Sequence, residues 1–310
     1  MRNAKLTNLP FYLLMVVPGM VLFIAVVVVP IFWSIGLGFT NYDIYNPAQT
    51  RFVGLDHYAR LFFGDPALSQ EFWRSFQNNL FTIAVAVFGE IPLGFFLAYI
   101  LYRNRVRHTG FFQAMIFLPN FISTVVIGIL WAKLISPIGP LTALVRWVTG
   151  DPQGLITWQL DPSTAMLPVA FAYLWIYTGF YMVVFLANMQ RIDSQILEAA
   201  QIDGAGEVML FRRIIVPILA GVVLLNVILG IAGSLKGFDL IFAMTSDGIS
   251  RENTEVLPIF LYKYAFRIQS NDAFSFGSAI STVIVSLSVV LILLTRLFER
   301  KSKTSGGETE

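Results

Sequence analysis

Residues Glu198–Leu219 read EAAQIDGAGEVMLFRRIIVPIL. They form a short, partly charged insertion between two strongly apolar runs. Pro162–Gln190 before it and Ile214–Leu235 at its end contain no Asp, Glu, Lys or Arg. A membrane-spanning helix needs about 20 mainly apolar residues, so each run is long enough to cross. The insertion therefore sits at a membrane surface and faces water, and what it faces decides what the chain does.

Composition supports the membrane reading. The 310 residues are 56% hydrophobic and 13% charged, where a soluble domain carries about 25% charged residues. The formal charge of +2 lacks the basic excess that nucleic-acid binding needs. The absence of cysteine excludes disulfides, thiolate zinc sites, iron–sulfur clusters and thiol catalysis.

The apolar stretches predict an all-α membrane protein with six transmembrane helices, at about 11–38, 76–102, 110–133, 164–189, 215–240 and 273–296. They form one domain over 11–298, with a short N-terminal segment 1–10 and a tail 299–310, in which the polar stretch 302–310 is expected to be disordered. The first helix is too long for a signal-peptide core and is read as retained. Tyr42–Arg74 and the region around Leu141–Val148 are expected to hold short interfacial helices. Pro18, Pro30, Pro92, Pro119 and Pro168 read as ordinary kinks, tolerated where neighbouring helices satisfy the freed carbonyls.

With the N-terminus inside, 12 of the 21 Lys and Arg fall in short inner segments. The Arg-rich turn RNRVRHTG between the second and third helices is the strongest indicator. The positive-inside rule then places both termini in the cytoplasm, and the 191–217 loop with them.

Local chemistry gives that loop a shape. Asp193 or Ser194 can cap a helix from about Gln195 to Ile202. Asp203-Gly204 ends it, because glycine enters the left-handed region without steric cost. A second short helix passes through Phe211 and Ile214, and Pro217 marks the turn into the next span. The outcome is an elbow. Ala199 and Ala200 would let another surface come close, and Glu198 offers a carboxylate to a partner's arginine. The alternative is a surface loop without a partner.

The pattern Glu198-Ala199-Ala200, Asp203-Gly204-Ala205, Phe211, Ile214, Pro217 resembles the EAA loop of ABC importer permeases. FVGLDHYARLF, NNL, FLP followed by Trp, GFDLIFAMT, YKYAF and GSAIS look like the carbohydrate branch, of maltose and glycerol-3-phosphate type. In particular the chain resembles the first subunit of a heterodimeric permease pair. Two departures stand out: Ile192-Asp193 replaces the usual Ile-Pro, and Thr245–Ile249 replaces a T-x-G-G-P turn.

The resemblance implies a type I, MetI-like permease fold in a bacterial or archaeal cell membrane. It implies a second permease subunit, two ATPase subunits that hold ATP and Mg, and an extracytoplasmic solute-binding protein, with no cofactor in this chain. The coupling residues would be Glu198, Ala199, Ala200, Asp203, Gly204, Ala205, Phe211 and Pro217. The chain has no G-x-x-x-x-G-K-[ST] phosphate loop, so it cannot hold ATP in that manner.

Tyr173, Ile176, Tyr177 and Phe180 share one face of the fourth helix. Tyrosine offers a flat apolar ring and a hydroxyl, both of which sugars use; helix packing is the competing explanation. In the resemblance this face, with Gly230, Ser234 and Gly237 on the fifth helix, lies where maltose-type permeases line their sugar site. Lys236 and Asp239 are nearby, and an importer of glycerol-3-phosphate or another small polar solute is the alternative. Glu90 is an acid inside the second span, where an ionisable group faces the bundle interior or a cavity. It fits a structural bond or the lining of a pathway better than a proton relay. His57 and His108 lie in loops and form no triad or metal arrangement. An intramembrane enzyme would need a nucleophile–base pair at membrane depth, and a lone ion-coupled carrier would leave the elbow unexplained.

Overall fold

The computed structural model describes residues 9–103, 106–150, 163–245, 251–268 and 270–306. These residues are helical apart from turns and one isolated bridge, Thr40 to Phe52. In chain order the helices are α1 (residues 9–37), α2 (Asp56–Phe63), α3 (Pro66–Tyr102), α4 (Thr109–Phe121), α5 (Thr124–Leu134), α6 (Pro140–Thr149) and α7 (Leu167–Met189). They continue with α8 (Ser194–Ile202), α9 (Glu207–Ile218), α10 (Ala220–Lys236), α11 (Asp239–Met244), α12 (Arg251–Thr254), α13 (Leu257–Tyr262) and α14 (Ala273–Gly306). Among the described residues four helices are long and apolar enough to cross a membrane, or six if the bent pairs α4–α5 and α9–α10 each count as one span.

Proline explains much of the irregularity. Three π-helical segments, Ile24–Val28, Ala86–Glu90 and Leu210–Ile215, each end two residues before a proline: Pro30, Pro92 and Pro217. A proline ring clashes with the carbonyl four residues earlier, and here that carbonyl always lies inside the widened turn. The helix relieves the clash without breaking. Pro168 avoids it by standing in the first turn of α7, where no N–H is needed.

At Pro119 the chain does break. Leu118–Phe121 tightens to a 3-10 turn, Ile122 is extended, and α4 and α5 meet at 94°. The uninterrupted helix expected over 110–133 is thus two pieces. The 215–240 helix is corrected similarly: the chain bends by 69° between Ile218 and Ala220, and α11 is separate from α10. Helix α3 begins at Pro66, ten residues before the expected start, because Asp65 accepts from Ala67 N at 2.9 Å and starts the helix in polar sequence. Helix α14 runs on to Gly306, into the polar tail expected to be disordered from 302. Short helices do form after Tyr42 and around Leu141, as α2 and α6.

The chain divides into two compact units. The first comprises residues 1–69 and 261–286. In it, His57 Nε2 lies 2.8 Å from the Thr40 carbonyl, and Arg60 pairs with Asp272 at 2.9 Å while stacking 4.5 Å over Phe276.

The second unit, 70–260 and 287–310, holds two apolar cores. One joins Ile91 and Phe95 of α3 to Tyr181, Met182 and Phe185 of α7 and to Leu197, Leu210 and Ile215 of the elbow. The other joins Ile127 of α5, Tyr173 and Ile176 of α7, and Leu240 and Ile241 of α11. Helices α3 and α7 approach closely at Gly94, where a methyl group would lie 2.7 Å from Tyr181 Cβ and 2.9 Å from Met182 N.

Candidate functional site

The elbow is built from local signals. Asp193 Oδ1 accepts from Gln195 N at 3.0 Å and caps α8. At the other end Gly204 has φ +84°, Gly204 N donates to Gln201 O at 3.1 Å, and Ala205 N donates to Ala200 O at 2.9 Å. That pair of bonds is a Schellman motif, which needs the left-handed residue Gly204 supplies. Glu198, Ala199, Asp203 and Gly204 are exposed, whereas Ala200, Ala205 and Phe211 pack against the first core. Exposed Ile196, Ile202 and Val208 surround the acidic positions. Apolar side chains grouped on a polar projection mark a surface built for contact.

The base of the elbow is fastened to the end of α3. The Phe211 ring sits 5.4 Å from Phe95 and 4.9 Å from Tyr99, between centroids. Arg103 donates to both carboxylate oxygens of Glu207, at 2.8 and 3.2 Å, and the Tyr99 hydroxyl donates to Glu207 Oε2 at 2.6 Å. The hydrogen bonds from Arg103 to Glu207 hold the guanidinium's pKa above its ordinary value, against the opposing effect of partial burial. Glu207, Arg103 and Tyr99 were not singled out by the sequence reading; the signal was an acid two residues past Ala205 and an arginine just beyond the second span. Pro217 stands in the first turn of its short helical segment, two residues before the bend at Leu219, and is exposed.

The tyrosine face of α7 divides. Tyr173 and Ile176 are buried in the second core, Tyr177 is half-buried with its ring 5.4 Å from Tyr173, and Phe180 is exposed. Helix α10 meets α7 through small residues. A methyl group at Gly237 would collide with the Tyr173 hydroxyl, and one at Gly230 would stand 3.1 Å from the Tyr181 hydroxyl. Tyr181 thus joins the candidate residues Tyr173, Gly230 and Gly237, a role the sequence face of Tyr173, Ile176, Tyr177 and Phe180 did not assign to it.

Ser234 is buried, and its carbonyl accepts from Asn79 Nδ2 at 2.9 Å. Asn79 Oδ1 in turn accepts from Leu257 N at 2.7 Å. Its neighbour Asn78 donates to the carbonyls of Asn253 and Glu255, at 3.0 and 2.8 Å. The NNL stretch thereby fastens α3 to α10 and to the segment entering α13. Of the altered turn Thr245–Ile249, residues 246–249 lie outside the described residues.

Residues 90–304 match the family described as the binding-protein-dependent transport system inner membrane component. The chain belongs to this family. It is 34% identical to a probable ABC transporter permease protein of Pyrococcus horikoshii over 92% of this chain and 94% of that one. It is 33% identical to a lactose transport system permease protein of Rhizobium radiobacter, covering 82% and 83%. Its fold is that of a chain in the crystal structure of a bacterial alginate ABC transporter in complex with an alginate pentasaccharide-bound periplasmic protein, with TM-score 0.79 at 21% identity, covering 95% of each chain. The protein is therefore a multi-pass membrane permease subunit of a binding-protein-dependent ABC importer, with an all-helical MetI-like fold.

Proposed function

We propose that this permease carries a sugar or oligosaccharide and is driven through the elbow of residues 191–217. A cytoplasmic ATPase subunit receives the exposed Glu198–Ala205 surface, with Glu198 paired to a cationic group of that subunit by a charge-assisted bond. The observation that carries this reading is the combination of an exposed, capped α8 with a base fastened to α3 by Phe211 and Glu207. Such an elbow can move as a body and take α3 with it. ATP and Mg are held by the ATPase pair, and this chain contributes no catalysis of its own. A second permease subunit completes the pathway, a solute-binding protein delivers the solute from outside, and both termini face the cytoplasm. The lactose permease relative and the joined tyrosines and glycines of α7 and α10 support the sugar assignment.

The test is co-expression with candidate partner subunits and reconstitution in lipid. The assembled complex should hydrolyse ATP faster when solute-loaded binding protein is added. Glu198→Ala and Gly204→Asp should reach the membrane and lose that stimulation. Normal transport by both variants would refute the coupling role.

A further inference from the structure

Glu90 lies within the α3 span, is 2% exposed, and has no hydrogen-bond partner on Oε1. Among the other buried polar atoms that share that condition are Thr178 Oγ1 on α7 and Asn226 Oδ1 on α10. Buried polar atoms in native proteins are nearly all paired, and unpaired ones are costly.

Helix contacts bring the three to one level. Gly89 abuts Leu174, and Gly94 abuts Thr178 O and Met182 N. Numbers rise together, so α3 and α7 run parallel, and Glu90 faces the Leu174–Thr178 turn. On α10 the order reverses: Asn79 bonds Ser234 O, while Ala86 and Ile91 lie against Gly230. Asn226, one turn before Gly230 on the same helical face, therefore falls beside the turn that contains Glu90. At 1.5 Å per residue Glu90 is about 18 Å from Tyr102 along the helix, near the middle of a hydrocarbon layer about 30 Å thick. Solute sites in transporters lie at that depth, beside irregular helix, and here the π turn Ala86–Glu90 provides it.

The chemistry of the cluster is one-sided. Asn226 Nδ2 is engaged by Val222 O at 2.9 Å, which leaves its Oδ1 as an acceptor. The Glu90 carboxyl offers an acceptor oxygen too, and Thr178 can accept or donate. Tyr177 and Tyr181 lie within electrostatic range of Glu90. No Lys or Arg pairs with Glu90 among the described residues.

We infer that Glu90, with Asn226 and Thr178, is a selectivity element at mid-span that accepts hydrogen bonds from the hydroxyls of an uncharged polyhydroxylated solute and turns anionic solutes away. The inference rests on the importer reading above. It separates a neutral sugar from a sugar acid or a polyol phosphate, which carry negative charge toward Glu90.

The test uses the assembled importer in lipid nanodiscs. A panel of neutral disaccharides (lactose, maltose, cellobiose) is screened against the binding protein. The disaccharide that binds, and its aldonate with the reducing end oxidised to a carboxylate, are then titrated against the importer. The wild type should prefer the neutral sugar at least tenfold. Glu90→Gln, which keeps the shape and replaces a carboxyl oxygen with an N–H donor that an anionic solute can accept from, should weaken neutral-sugar binding about tenfold and bring the preference close to one. Glu90→Asp should restore part of it. A purely structural role predicts equal loss for both ligands, and an unchanged ratio in Glu90→Gln overturns the inference. So does a binding protein that takes no neutral sugar.

A second measurement needs no variant. The bound disaccharide should slow labelling of Glu90 by a hydrophobic carbodiimide severalfold, read by mass spectrometry of the α3 peptide, and equal labelling rates overturn the inference. Stimulation of ATP hydrolysis by loaded binding protein is measured on the same wild-type complex. Its absence counts against the importer reading, and its presence with failed selectivity counts against Glu90 alone.

Discussion

Arg103 and Glu207, 104 residues apart in sequence, meet through two hydrogen bonds of 2.8 and 3.2 Å. One residue ends the longest helical run of the second unit's first span and the other begins the second half of the elbow. The planar guanidinium grips both carboxylate oxygens, a geometry a lysine cannot reproduce. Glu207→Ala should therefore loosen the elbow from α3, at about 1–2 kcal/mol, with the partial exposure of Glu207 holding the value low. Binding-protein-stimulated ATP hydrolysis should fall severalfold. The exchange Arg103→Glu with Glu207→Arg should recover more activity than either single variant, and a double variant no better than the singles would show that the pair does not act as a link.

Phe211 places its ring between Phe95 and Tyr99. Phe211→Ala leaves a void under the elbow and should destabilise the complex by roughly 2–3 kcal/mol, less than for a fully buried ring because Phe211 is half-buried. Thermal unfolding of the purified complex reads this. Phe211→Leu should recover most of the stability but less of the coupling, since an aliphatic group loses the edge contacts with both rings.

Asn79 is fully buried and serves Ser234 O and Leu257 N at once. Asn79→Leu strands both and should cost about 2–4 kcal/mol. The expected readout is reduced yield and a lower melting temperature of the assembled complex. An unchanged melting temperature would mean that the two backbone groups find other partners.

Much of the elbow was legible because its chemistry is local. Asp193 caps two residues ahead of itself, and Gly204 takes a conformation that few other residues accept. The prolines were legible as irregularities but not in kind. Pro30 and Pro92 follow π turns that keep the helix going, and Pro217 follows one that ends in a 69° bend at Leu219, whereas Pro119 breaks the helix at once, and Ile122 and Ser123 decide that difference by leaving the helical region. The start of α3 at Pro66 was hidden because its first turns are polar, so hydropathy placed the helix at its apolar part. The fastening of Glu207 to Arg103 and of Asn79 to Ser234 depends on which helices become neighbours, and single-sequence periodicity does not contain that. For the same reason the sequence face of α7 singled out Tyr177 and Phe180, while the approach of α10 at Gly230 selects Tyr181.

The central claim is that the elbow docks on an ATPase. The chain has no cysteine, so a single Ala199→Cys carries a benzophenone probe to one exposed place on α8 and nowhere else. A second variant, Tyr45→Cys, places the same probe on the exposed segment before α2. On illumination of the assembled complex, the account predicts that the Ala199 position forms an adduct with the subunit bearing the phosphate-binding loop, identified by mass spectrometry, and that the Tyr45 position does not. No ATPase adduct at Ala199, or equal adducts from both positions, would contradict it.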